Sequence, residues 1–287
     1  MSERFLRYQH SCNPMKLISF HIDLDDKWVV DHTAQVHHDS VYLEALEKIE
    51  RIFLLRGVPV TLFVVGKDLE VESKRKALQR INTLYGLSGA ALIEFANHTF
   101  SHNNDILKNK STEIAQTHEL IFEHLGQICC GFRSPGYVFH HSILHHLADI
   151  KYRYDSSALP TGIGPILRIL NRLQHGVVGE RNFGTLSNFC LPNMPFLLSE
   201  FDLIELPVTV MPIFRLPIHF SIWRGAFPEL VCNLLKKLSM VVYIFHLTDF
   251  FSQDYLIVKQ IDSFLDDRKA VLACEFATMV TKEFTHA

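Results

Sequence analysis

Apolar and polar positions along this chain alternate between two periods. Residues 16–24 (Lys-Leu-Ile-Ser-Phe-His-Ile-Asp-Leu) form a short run of strand-favouring side chains that stops at Asp25 and Asp26. Such a run predicts a buried strand with carboxylates at its end. Residues 40–56 then place Val41, Leu43, Leu46, Ile49, Ile52 and Phe53 at helical spacing, with Gly57 as the stop signal. Residues 58–66 (Val-Pro-Val-Thr-Leu-Phe-Val-Val-Gly) read as a second strand. Strand, helix, strand opens a parallel sheet with crossover helices. The pattern recurs with a helix near 68–85, a strand near 90–96, a helix near 111–126, a short strand near 129–133 and a helix near 139–149. A late strand over 240–245 precedes a helix near 254–266. This alternation predicts a barrel-like α/β fold, whose active site gathers at the C-terminal ends of the strands. No internal repeat of 20–50 residues is present.

Residues 158–200 break the alternation. Pro160, Gly162, Gly164, Pro165, Pro192 and Pro195 punctuate an amphipathic stretch, Ile166-Leu-Arg-Ile-Leu-Asn-Arg-Leu173. We expect a single domain over 1–287 with an insertion at 158–200, either a lid over the barrel or, through Ile166, Leu167, Ile169 and Leu170 beside Arg168 and Arg172, a peripheral membrane contact.

Composition narrows the function. The chain has 287 residues, 48% of them hydrophobic, and a net charge of -3 with both signs interspersed, which argues against a nucleic acid polymer as partner. Six cysteines at 12, 129, 130, 190, 232 and 274 lack paired metal-finger spacing and read as reduced core residues. A charged N-terminus and the lack of any run of about 20 apolar residues suggest a cytoplasmic protein, with a place at the inner face of the membrane open.

Asn97-His98-Thr99-Phe100-Ser101-His102 places two imidazoles four apart, a spacing that on a helical turn lets both face one ion. A hydrolytic metal takes such a pair with a carboxylate and keeps a position for water, and the acidic strand end at Asp23, Asp25 and Asp26 offers one. Asp23 and Asp25 share one face of an extended strand, whereas Asp26 points the other way unless the strand has turned. Gly131-Phe-Arg-Ser-Pro-Gly-Tyr137 reads as a turn carrying Arg133, Tyr154-Asp155-Ser156-Ser157 as a cap or turn, and His246 closes the late strand.

The order of these landmarks resembles the five motifs of the NodB-like polysaccharide deacetylase family (carbohydrate esterase family four), over roughly residues 16–250. The stretch at 60–66 also looks like that family's second strand. The resemblance implies a distorted barrel of the NodB type, with an insertion after the fourth motif. It implies a hydrolase that removes an N-acetyl group from a sugar with one divalent ion, zinc first. It makes Asp25 the general base and Asp26, His98 and His102 the metal ligands. Arg133 would orient Asp25, Asp155 would pair with His246 as the acid for the leaving amine, and a peptide N–H near Gly136 or Tyr137 would bind the oxyanion.

Three departures bear on these roles. The first motif reads Ile-Asp-Leu-Asp-Asp-Lys-Trp, so Asp23 and Asp25 are the alternative pair to Asp25 and Asp26. The third reads Arg-Ser-Pro-Gly-Tyr, and the fourth lacks its usual tryptophan. The expected substrate is a nucleotide-linked or lipid-linked N-acetyl sugar in surface polysaccharide (lipopolysaccharide) biosynthesis. The alternatives are an allantoinase-type amide hydrolase on the same fold and a non-catalytic carbohydrate-binding relative.

Overall fold

The first apolar run is strand β1 (Leu17–Asp23), buried along its whole length. The computed structural model describes residues 15–25, 38–86, 91–103, 105–175, 182–223, 228–251 and 254–285. Burial on both faces is what a parallel strand between outer helices and an inner packed face requires. Ile18, Phe20, Ile22 and, one step beyond the strand, Leu24 enter the larger apolar cluster, together with Leu46 and Ile49 from the first helix. Leu17 belongs to a second cluster, and the two-residue period puts Ser19, His21, Asp23 and Asp25 on its side.

Eight more strands follow: β2 (Val60–Val64), β3 (Ile93–Asn97), β4 (Gly131–Phe132), β5 (Tyr154–Asp155), β6 (Phe196–Leu198), β7 (Leu203–Glu205), β8 (Met240–His246) and β9 (Lys269–Ala270). Their order in the sheet is β6-β7-β5-β4-β3-β2-β1-β8, with β9 beside β1. Every pairing is parallel except β6 with β7. A parallel bridge from His219 to Ile244 brings the segment after β7 to the outer edge of β8, so the curled sheet nearly meets itself.

The helices are α1 (His38–Ile52), α2 (Gly66–Glu70), α3 (Glu72–Tyr85), α4 (Ile106–Leu125), α5 (His141–Asp149), α6 (Gly164–His175), α7 (Phe220–Trp223), α8 (Pro228–Leu235), α9 (Asp254–Leu265) and α10 (Ala273–Thr285). The helix expected near 68–85 is broken at Val71, whose extended backbone (φ -82°, ψ 115°) separates α2 from α3. Tyr154-Asp155, read from sequence as a cap or turn, is instead the strand β5, paired on both sides. The 158–200 segment holds α6, a short 3-10 turn over Leu186–Cys190, and β6. Among the described residues no helix is long and apolar enough to cross a membrane. The described cysteines are free; the expectation of core thiols holds for Cys129, whereas Cys130, Cys232 and Cys274 are partly exposed and Cys190 is exposed.

Candidate metal centre and catalytic cleft

Inner-face residues at the C-terminal ends of β1, β3, β4 and β8 converge on a cavity of about 400 Å³ lined by Asp23, Asp25, His98, His102, Tyr137 and His246, among others. Asp25 reaches the cavity because the chain stays extended past β1. Leu24 N–H donates to Phe63 O at 3.0 Å, so Leu24 faces the core and Asp23 and Asp25 face the cleft. Asp26, expected to be a metal ligand, lies outside the described residues.

The two histidines do not meet on a helical turn, as their spacing suggested. Residues 98–103 form a loop in which Thr99 (φ 67°) and His102 (φ 50°) are left-handed. Such conformations cost roughly 1–3 kcal/mol each and persist where surrounding structure holds them. Here Asn97 does so: its Oδ1 accepts from Thr99 N–H at 2.9 Å, and its Nδ2 donates to Ile114 O and Tyr152 Oη. His98 and His102 stand with ring centroids 4.9 Å apart.

Asp25, His98 and His102 each offer a ligand atom within 4.8 Å of the others. His98 Nδ1 lies 2.8 Å from Arg133 O, a carbonyl that can only accept, so Nδ1 carries the hydrogen and Nε2 keeps its lone pair. Burial lowers the His98 pKa to about 4, so the ring is neutral near pH 7. Asp25 Oδ2 lies 3.2 Å from His102 Nε2. Its other oxygen is buried with no hydrogen-bond partner among the described residues. A buried carboxylate oxygen without a donor is costly unless a cation satisfies it. The donor set therefore fits one divalent ion held by two imidazoles and a carboxylate.

Arg133 was expected to orient Asp25. It binds Asp23 instead: Nη1 donates to Asp23 Oδ1 at 2.6 Å, Nη2 reaches Ser156 Oγ at 2.7 Å and His21 Nδ1 at 2.6 Å, and Nε donates to Ser156 O at 2.9 Å. The guanidinium is wholly buried and stacks on Phe63 at 4.1 Å. Burial alone would raise the Asp23 pKa, but Arg133, His98 and His246 outweigh it and hold the carboxyl well below its usual range.

Asp155 and His246 are also separated from each other. Asp155 accepts from Ser157 Oγ at 2.5 Å, and its neighbour is Glu205. Burial raises Asp155 to about 6, and burial with the neighbouring Asp155 charge pushes Glu205 well above its ordinary value. The Tyr-Asp-Ser-Ser segment thus supports Arg133 and the following turn: Ser156 receives Arg133, and Ser157 Oγ accepts from Ser134 N–H at 2.9 Å.

His246 has other partners. Its Nδ1 is 2.9 Å from Ser221 Oγ, which donates to Asp249 Oδ2 at 2.9 Å; Asp249 also accepts from the His246 backbone N–H at 2.8 Å. Because the Ser221 hydrogen goes to Asp249, His246 Nδ1 is the donor to Ser221, and Nε2 faces the cleft. There it stands 3.9 Å from Asp23 Oδ2 and 3.4 Å from the Tyr137 hydroxyl. In the Ser-Pro-Gly-Tyr turn, Tyr137 N–H donates to Ser134 O at 3.1 Å and is thus not aimed into the cleft as an oxyanion donor.

His21, Glu205, Ser221 and Asp249 carry no motif spacing and were missed from sequence. Only the proximity of Asp249 to His246 could have pointed to one of them.

Neither a family sequence model nor a curated protein sequence matches the chain. Solved structures do. A protein assigned as a polysaccharide deacetylase from Mycobacterium smegmatis superposes with a TM-score of 0.67 at 15% identity, covering 96% of this chain and 93% of that one. PuuE allantoinase matches with a TM-score of 0.61 at 10% identity, over 95% and 97% of the two chains. A protein assigned as a polysaccharide deacetylase from Pseudomonas aeruginosa PAO1 matches with 0.59 at 12% identity, over 91% and 89%. Together with the strand order and the inward-facing cleft, these matches identify the chain as having the NodB-type fold of the CE4 polysaccharide deacetylases.

Proposed function

We propose that this protein is a metal-dependent hydrolase that removes an N-acetyl group from a sugar, with Asp23 and Asp25 taking the base and ligand roles in place of Asp25 and Asp26. One observation carries the reading: a buried Asp25–His98–His102 donor set stands beside an arginine-bound Asp23 and a cleft-facing His246. Asp25, His98 and His102 would hold the ion. When bound, a divalent ion, zinc first, supplies Lewis-acid polarisation of the acyl carbonyl and activation of water.

The chain's own residues do the rest. Asp23, ionised and fixed by Arg133, takes the proton from the attacking water. His246 Nε2 passes the proton that Asp23 takes up on to the leaving amine, with its ring oriented through Ser221 and Asp249. The Tyr137 hydroxyl, beside His246, donates to the acyl or sugar oxygen. Asp155 acts at a distance by holding the turn that carries Arg133 in place.

The cleft wall favours an amphiphilic substrate. Leu159, Leu167, Leu170, Phe183, Pro217 and Ile222 line it, and no lysine or arginine does among the described residues. An apolar wall suits the hydrocarbon chain of a lipid-linked sugar of surface polysaccharide biosynthesis better than the polar nucleoside of a nucleotide-linked one. The 158–200 segment supplies Leu167 and Leu170 from α6 as a lid, while Ile166, Ile169 and Leu173 (79% exposed) face outward where a membrane surface would lie.

Acetate release from polyprenyl-linked and nucleotide-linked N-acetyl sugars, with and without added zinc, tests the reading. Release from neither class would sink it. Activity on allantoin without any metal would favour the ring-amide hydrolase of the same fold.

A further inference from the structure

We propose that Glu94, Cys130 and Cys274 form a second metal site, for a thiophilic divalent ion of the zinc type, at the end of the sheet opposite the catalytic cleft. Their carboxylate and thiol atoms all lie within 4.8 Å of one another, with Cys130 Sγ 4.0 Å from Glu94 Oε1. In a tetrahedral zinc site with Zn–S near 2.3 Å, ligand atoms stand roughly 3.5–3.8 Å apart, so a small inward movement of the two thiols completes the set.

Glu94 is pre-oriented for the task. It sits near the start of β3, the strand whose other end leads into His98. Its Oε2 accepts from Thr61 Oγ1 at 3.0 Å and from Cys274 N–H at 2.9 Å, and Tyr154 Oη donates to Oε1 at 2.8 Å. Oε1, held by Tyr154, also faces the Cys130 thiol at 4.0 Å. Donors behind a ligating carboxylate are the usual outer shell of a metal site.

With an ion bound in place of the thiol protons, two thiolates and a carboxylate would carry three negative charges, which the divalent ion and the Arg153 guanidinium, 3.5 Å from Cys274 Sγ, would balance. Cys274 is also the second residue of the 13-residue helix α10, where the dipole favours a thiolate. Cys130 and Cys274 are both partly exposed, so an ion can reach them from solvent. An ion there would clamp the C-terminal helix to β3 and β4, at the barrel end associated with stability rather than chemistry. The cysteines show no paired spacing because they lie 144 positions apart in sequence, at 130 and 274.

The test keeps the two centres apart and does not depend on the deacetylase reading. Metal-stripped His98→Ala/His102→Ala protein is titrated with cadmium, a zinc analogue with a thiolate charge-transfer band. One equivalent should bind with that band, and adding Cys130→Ser/Cys274→Ser should abolish both. A titration without the band, or a band that survives the serine substitutions, overturns the proposal. In the wild-type chain, which avoids any folding defect of the variants, zinc should slow iodoacetamide labelling of Cys130 and Cys274 at least tenfold. Exposed Cys190 should label unchanged. Equal labelling of the pair with and without zinc, or a Cys130–Cys274 disulfide forming in zinc-saturated protein, also overturns it.

Discussion

The two ends of one sheet treat buried carboxylates in opposite ways. At the N-terminal end Glu94 receives donors from Thr61, Tyr154 and the Cys274 backbone. At the C-terminal end Asp25 leaves a buried oxygen unpartnered among the described residues, while its neighbour Asp23 is bound by one arm of a buried arginine. A satisfied carboxylate can stand on its own and gain from an ion. An unsatisfied one needs an ion for the structure to be at rest, and a carboxylate locked to an arginine is kept ionised for proton transfer. Both ends use the same inner-face positions, so the difference lies in which partners the neighbouring strands bring.

The largest effect expected is on Asp23. Asp23→Asn should lower acetate release by about 10²–10⁴-fold, the range for loss of a general base, while metal content measured by mass spectrometry stays near one ion at the cleft. If instead the metal is lost with the activity, Asp23 is a ligand and the comparison fails. Asp25→Asn should do the reverse and weaken cleft metal binding by more than the about 10–100-fold typical of an outer-shell change. Equilibrium dialysis against zinc decides between the two assignments.

Arg133→Met should cost about 3–5 kcal/mol in denaturant unfolding, because it strands Asp23 as a buried charge without its partner. A loss under ~1 kcal/mol would mean that the Asp23–Arg133 pair is not the keystone of the upper end.

A smaller change tests the buried carboxyl pair beneath the cleft. The Asp155 pKa rises from 3.8 to about 6 on folding, so over that window the folded state holds a proton that the unfolded chain has released. Stability attributable to the pair is therefore present below the window and falls as pH rises through it. Asp23, held low, gives the opposite slope, with its contribution lost only as pH falls below its ordinary value. Glu205→Gln should flatten the decline between pH 4 and 6 in thermal unfolding. An unchanged pH profile would show that the two carboxyls titrate independently.

The smallest effect on the fold should come from α6. Leu173→Lys, at a position 79% exposed, should change stability by less than ~0.5 kcal/mol yet weaken binding to lipid vesicles and turnover of a polyprenyl-linked substrate. Turnover of a short water-soluble analogue should not change. Parallel losses on both substrates would count against a membrane-facing lid.

The apolar periods alone determined much of this molecule. The strands at 17–23, 60–64, 93–97 and 240–246 and the helices flanking them were legible because each buries a face along several residues. His98, His102, Arg133 and His246 were singled out by the order of the motifs that resemble the NodB-like family, and the fold brings all four to one end of the sheet. Strands of two or three residues, such as β5, β6 and β7, carry too few positions to show a period.

Tertiary structure alone decided the partners. Arg133 chose Asp23 over Asp25, His246 took Ser221 and Asp249 in place of Asp155, and Asp155 settled beside Glu205. The extended geometry at Leu24, which sets Asp23 and Asp25 on one face, depends on a hydrogen bond to a neighbouring strand. A side chain's position on a strand is local and written in the residues beside it. What stands across from it depends on strand order and register, which a single sequence does not contain.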